Sequence, residues 1–368
     1  MVTPSSTPFG HPRWFRRAAL GAALAMGLAS LTAGCGGSHR AKPPAVSRPA
    51  IAAHGLAALG DSYSAGEGAG PYLDGTDVAG DECLRSNQAY GPLLDTDKRL
   101  GTLTFVACSG ASTIDLLRAN HEYPLEHGQI GAIPAPTKTV TLTIGGNDAG
   151  FSSVLISCIS GHIGPITVFP HFLEPQAACH SNASLRQTIS ARLAALAAPS
   201  NSSKTTIGAA GTPIVAISTL LADIHARAPQ AHIYLLGYPA LFGSFSGSCH
   251  LGTIDATHVP LIGSVGVAIT ISAADASWIN AVAGQLNASL KAGVAAVNAL
   301  DVPATFVDVS AQFEGHRLCD PGSSWIAPVS GTANVKTRTA KLDPSAFHPT
   351  GVGQRDGYEA ALVRAGAG

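Results

Sequence analysis

Apolar runs of strand length recur along the chain at 56–59, 103–107, 140–144, 232–236 and 305–309, and the stretches between them are long enough for crossover helices. That spacing predicts a mostly parallel sheet. Between the runs, 184–197 places Leu185, Ile189, Leu193 and Leu196 on one helical face, with Ser181 or Asn182 as N-cap. The segment 214–227 carries Ile217, Leu220, Leu221 and Ile224 on one face and ends at Ala228-Pro229, just before the fourth run. A third helix is predicted over 274–300, with Ile279, Val282, Leu286 and Leu290 inward. Two stretches, 151–180 and 242–270, show no strong period. They are expected to be active-site loops with bases held by cysteines.

Candidate chemistry sits where the strands end. The first run leads straight into Gly60-Asp61-Ser62-Tyr63-Ser64, and the third leads into Gly145-Gly146-Asn147-Asp148. In an open parallel sheet, ligands bind beyond the carboxyl ends of the strands. Ser62, Gly110 and Asn147 all fall there. A serine hydroxyl needs an adjacent base to attack an ester near neutral pH, and His348-Pro349 near the C-terminus supplies an imidazole that titrates in that range. Nucleophile, base and amide donor are the parts of an acyl-transfer site. Asp61 and Asp148 are read as structural hydrogen-bonding residues. His121 and His127 match no zinc spacing and are read as part of a solvated loop.

The segments GDSYSAGEG (60–68), ACSGAS (107–112), GGND (145–148) and FHPTG (347–351) resemble, in content and order, the blocks of the SGNH (GDSL) hydrolase family over 56–351. The resemblance implies an α/β, three-layer flavodoxin-like sandwich around a central, mostly parallel five-stranded sheet. It also implies a serine esterase or lipase that needs no metal or cofactor. Ser62 would attack, His348 would carry the proton, and the backbone amides of Ser62 and Gly110 with the side chain of Asn147 would hold the oxyanion. Many members carry an aspartate three residues before the histidine, where this chain has Ser345. Some secreted relatives orient the imidazole with a backbone carbonyl at that place. Ser345 is therefore the expected orienter, with the carboxylate of Asp343 as the alternative. The segment 315–319 with Trp325 resembles a support for the histidine in the same relatives.

Seven cysteines are present, and six follow Cys35: Cys83, Cys108, Cys158, Cys179, Cys249 and Cys319. An even set in an exported chain argues for disulfides in one of many connectivities. The resemblance to secreted actinobacterial members implies sequential pairing, Cys83–Cys108, Cys158–Cys179 and Cys249–Cys319.

Arg13, Arg16 and Arg17 precede an apolar run over 18–33, too short for a membrane span of about 20 residues. Its end, Leu31-Thr32-Ala33-Gly34-Cys35, resembles a bacterial lipobox, although Thr32 departs from the usual leucine. The expected organisation is a lipoprotein-type signal peptide over 1–34, a Gly/Pro-rich tether over 35–50 and a catalytic domain over 51–368. Lipidation at Cys35 would anchor the domain on the outer face of a bacterial membrane. Net charge is −1 and 12% of residues are charged, so nothing points to nucleic acid. A monomer acting on a small-molecule or acyl-lipid ester is expected. The rivals are a carbohydrate O-acetylesterase of cell-wall polysaccharide and a catalytically silent surface-binding lipoprotein. The acceptor-like sites at Asn182, Asn201 and Asn287 are expected to be unused in bacteria.

Overall fold

The computed structural model describes residues 55–96, 100–163, 166–169, 178–199, 206–209 and 211–367; the predicted signal peptide, Cys35 and the tether lie outside them. The strands, numbered along the chain, are β1 Gly55–Gly60, β2 Thr102–Phe105, β3 Thr139–Thr143, β4 Ser160–Ile163, β5 Ile166–Phe169, β6 His232–Leu236, β7 Ser248–Val259, β8 Gly263–Ser272, β9 Ala304–Val307, β10 Val329–Asn334 and β11 Thr339–Leu342. β2-β1-β3-β6-β9 make a five-stranded sheet in which every pair is parallel. It is the α/β architecture that the strand spacing predicts. Every residue of β1, β3 and β6 after the first is buried. Burial on both faces explains why these strands read as continuous apolar runs.

The three predicted helices form at Ala183–Leu196, Ile217–Arg227 and Ala273–Asn298. Asn182 caps the first by accepting the Leu185 N–H at 3.0 Å, and Ser272 caps the last by accepting that of Asp275 at 3.1 Å. Their apolar stripes, Ile217, Leu220, Leu221 and Ile224 on one and Ile279, Val282, Leu286 and Leu290 on another, are buried in the core. Each such side chain stabilises the packing by about 1.5–3 kcal/mol.

The loops expected over 151–180 and 242–270 are largely absent. Helix Phe151–Cys158 and strands β4 and β5 occupy the described part of the first, and the hairpin of β7 and β8 occupies most of the second. These strands join β10 and β11 in a six-stranded sheet of order β11-β10-β7-β8-β4-β5. It is antiparallel except between β7 and β10. Half-buried strands alternate rather than run, so a search for continuous apolar segments passes over them.

Disulfides join Cys83 to Cys108, Cys158 to Cys179 and Cys249 to Cys319. The first bridge closes two residues before Gly110. The third ties β7 to the segment that precedes Trp325.

Candidate active site

The turn after β1 puts Ser62 at the sheet edge. Gly60 has φ +117°, and a side chain there would collide with the Thr143 carbonyl, so only glycine fits. Asp61 then caps the short helix Ser62–Ala65, its carboxylate accepting the Tyr63 N–H at 3.1 Å. Gln129 fastens the turn by accepting the Gly60 N–H at 2.7 Å and donating to its carbonyl at 2.9 Å. Ser64, buried beneath, bonds the hydroxyls of Tyr90 and Thr143. A polar network of this kind, fully satisfied, holds a strained turn rigid.

His348 arrives from the far end of the chain. Its Nε2 lies 2.9 Å from Ser62 Oγ. The preceding Phe347 is left-handed at φ +68°, an uncommon conformation for a bulky residue, and its carbonyl accepts the Tyr63 hydroxyl at 2.8 Å. The His348 carbonyl accepts the Ala327 N–H at 2.8 Å, and the Trp325 carbonyl accepts that of Thr350 at 2.8 Å. Trp325 itself stacks on His316, their rings 3.9 Å apart and 3° from parallel. The 315–325 segment thus backs the histidine loop and stays out of the cleft. Gln354, buried on the next turn, accepts the Tyr90 N–H and donates to the Tyr63 carbonyl, which links the two ends of the site.

Gly110 and Asn147 complete the ring. Gly110 has φ +77°, and a Cβ there would come within 2.8 Å of the Glu122 carboxylate. Asn147 lies in the turn Gly146–Ala149, and its amide donates to the Ala111 carbonyl at 2.9 Å. An amide nitrogen has two hydrogens, so one remains for a ligand. Ser62, Gly110, Asn147 and His348 line one cleft of about 270 Å³.

The orienters behave differently. The Ser345 carbonyl accepts the backbone N–H of His348 at 3.0 Å, while the imidazole Nδ1 is buried without a hydrogen-bond partner. Asp343 accepts the N–H and hydroxyl of Ser345, at 2.9 and 2.6 Å. Glu67, a carboxylate that sequence reasoning passed over, lies with Oε2 3.7 Å from Nε2 of His348 and accepts the Ser109 hydroxyl. The only hint of it in the sequence is an acid between two glycines, Gly66-Glu67-Gly68.

Asp61 and Asp148 hold the architecture. Asp61 accepts from Thr143 at 2.6 Å and from the Tyr238 hydroxyl, and burial raises its carboxyl to about 6 against the pull of those donors. Asp148 accepts the Thr113 N–H at 2.9 Å and hydroxyl at 2.6 Å, and burial likewise raises it to about 6. His121 is not free in a solvated loop, because its Nδ1 meets Asp115 at 2.9 Å. Asp81, Cys83 and Glu126 bring ligand-type atoms within 4.8 Å of one another. The Cys83 sulfur is in a disulfide and the Arg85 guanidinium holds Glu126 at 2.6 Å, so that group is an ion pair beside a bridge. Asn287 exchanges two 2.8 Å bonds with the backbone of Tyr238 and is committed to the fold.

A hydroxyl bonded to an imidazole, with amide donors around the same cleft at the edge of a parallel sheet, defines a carboxylic ester hydrolase. The chain belongs to the GDSL-like lipase/acylhydrolase family, whose model matches residues 58–355. It is 32% identical over 320 residues to a lipase of Streptomyces rimosus, covering 85% of this chain and 87% of that one. Among solved structures it is similar to phospholipase A1 of Streptomyces albidoflavus, with TM-score 0.58, 28% identity, and coverage of 85% and 99% of the two chains. It is also similar to the extracellular lipase of S. rimosus, with TM-score 0.53, 29% identity, and coverage of 85% and 100%.

Proposed function

We propose that this esterase cleaves acyl-lipid esters through an acyl-enzyme on Ser62. The observation that carries the reading is the 2.9 Å bond from Ser62 Oγ to His348 Nε2 in a cleft partly lined by apolar side chains. His348 takes the Ser62 proton as Oγ attacks the carbonyl carbon, then delivers it to the leaving alcohol. The Ser62 and Gly110 backbone amides and the Asn147 side chain stabilise the oxyanion. A water repeats the sequence and frees the acid. Phe151, Leu155 and Ile156, from the helix after Asn147, line the cleft together with Leu342 and Pro344, a surface suited to an acyl chain. Ser345 or Asp343 fixes the histidine loop.

The domain acts as a monomer outside the cell, held by a lipid on Cys35 and spaced from the membrane by the tether. The arginine-led apolar run before Cys35 and the extracellular location of the S. rimosus lipase support export.

Labelling with a fluorophosphonate probe and hydrolysis of p-nitrophenyl esters from acetate to palmitate test this reading. The parent should label and prefer chains of about eight carbons or longer. Ser62→Ala should not label, and both it and His348→Ala should lose at least about 10³-fold in kcat with the fold intact. A strong preference for acetate would replace the lipid reading with a carbohydrate deacetylase. No labelling of the folded parent would leave a binding lipoprotein.

A further inference from the structure

The imidazole of His348 is faced by four groups. Tyr63 lies against its ring at 5.2 Å, Ser62 bonds Nε2, Asp61 is buried beneath the nucleophile, and Glu67 stands 3.7 Å from Nε2. Asp343 is occupied by Ser345. Of the three carboxylates, Glu67 is therefore the one directed at the nitrogen that moves the proton. It is only 4% exposed, in a loop wrapped tightly on the histidine: a Cβ at Gly68 would meet that of His348 at 2.9 Å.

We propose that Glu67 is the positioning carboxylate of this site, placed to steady the imidazolium that forms on His348 from the Nε2 side, with Ser109 as its holder. In the usual arrangement an acid bonds Nδ1 and steadies the imidazolium from behind. Here Nδ1 has no partner among the described residues, and the anion stands beside the nitrogen that receives the proton. An anion next to that lone pair favours the protonated ring. At 3.7 Å from Nε2, Glu67 Oε2 is beyond hydrogen-bond reach of the imidazole, so it acts on the ring through charge. The proton passes from Ser62 Oγ to Nε2 and on to the leaving alkoxide, and Glu67 takes no part in that transfer. The Ser109 hydroxyl donates to Glu67, which fixes the carboxylate and, through the next residue, the Gly110 turn. This role rests on the Ser62–His348 reading.

The test is the pH profile of kcat/KM on a soluble p-nitrophenyl ester for the parent, Glu67→Gln, Glu67→Asp and Ser109→Ala. The acid limb reports the histidine of the free enzyme. Glu67→Gln should move it down by about one pH unit, because the protonated ring loses its anion, and should lower kcat at pH 7 about tenfold. Glu67→Asp should recover part of both, and Ser109→Ala should move the limb the same way by less. Thermal unfolding of each variant separates misfolding from this effect, and Glu67→Asp decides the matter if Glu67→Gln does not fold. An unmoved limb in folded Glu67→Gln, with or without a fall in kcat, overturns the proposal. Fluorophosphonate labelling of the parent separates the two layers. A labelled parent with an unmoved limb removes only the role of Glu67, whereas an unlabelled parent removes the hydrolase chemistry and this role together.

Discussion

The two sheets divide the candidate site between them, and they are built on opposite plans. The parallel sheet delivers Ser62 after β1 and Asn147 after β3, from strands buried on both faces. The second sheet delivers the base, because β11 runs directly into Asp343 and on to His348. Its central hairpin alternates, and β7 and β8 expose and bury successive residues along most of their length. A fully buried strand can only end in a turn, so its end is fixed by the core. An alternating strand has a solvent face, so its end must be fastened by other means: the Cys249–Cys319 bridge, the Ala327–His348 bond and the left-handed Phe347.

The largest effect should come from the rigid side. Asn147→Ala removes a side-chain donor at the end of a buried strand, and kcat should fall about 10²–10³-fold with KM little changed. Steady-state kinetics on a soluble ester checks it. A fall in kcat of less than fivefold would take Asn147 out of the oxyanion site and leave its amide as a brace for the Ala111 carbonyl.

The same division governs what the sequence discloses. Ser62, Gly110 and Asn147 are legible because glycine turns directly follow apolar runs, and Gly60, Gly110 and Gly145 hold a positive φ that other residues rarely adopt. His348 is legible as a residue but not as a placement, because no local pattern says that a chain end returns to the first strand. Its neighbours are hidden for a related reason. Glu67, Ser109, Gln129 and Gln354 make bonds across 42 to 291 positions, and long-range partners leave no periodic trace. The second sheet was open to reading in part. Ile254 and Ala256, and Val267, Ile269 and Ile271, keep a spacing of two that a strand requires.

The fastened side is tested by removing its bridge. Cys249→Ala with Cys319→Ala opens a closure of 70 residues, against 25 for Cys83 with Cys108. Closing a longer loop restricts the unfolded chain more, so the first pair should cost about 4 kcal/mol and the second slightly less. Denaturant unfolding measures both. If His348 is steadied through β7, the first pair should also lower kcat at 25 °C, where both proteins are folded. Equal kcat in the two would show that Phe347 and Ala327 hold the base unaided.

Beneath the nucleophile, Asp61 offers a test by pH. Burial raises its folded carboxyl to about 6, above the ordinary 3.8. A raised acid contributes stability that is complete below pH 3.8 and is lost as pH climbs through 6, because the folded state holds its proton longer than the unfolded one. Asp61→Asn does not titrate and still caps the turn. Relative to the parent it should therefore gain about 2 kcal/mol of unfolding free energy between pH 4 and pH 7. A constant difference across that range would mean that the donors from Thr143, Tyr238 and Tyr63 outweigh burial.

The smallest effect belongs to the far end of the second sheet. At the tip of the β7–β8 hairpin, Leu261 is left-handed at φ +68° and fully exposed, so it carries backbone strain with no burial to offset it. Asparagine tolerates that conformation, and Leu261→Asn should stabilise the protein by about 0.5–1 kcal/mol. Register places Ile254 beside Gly331, and Gly331 beside Leu342 at the cleft, so the tip lies roughly 20 Å further along the sheet. Soluble-ester kinetics should accordingly stay within about twofold of the parent. A higher melting temperature with unchanged kcat would show that the sheet delivering the base can be tightened at one end without touching the other. A change in kcat would mean that the hairpin communicates with the histidine along its whole length, and the contrast between a rigid and a fastened half would have to be redrawn.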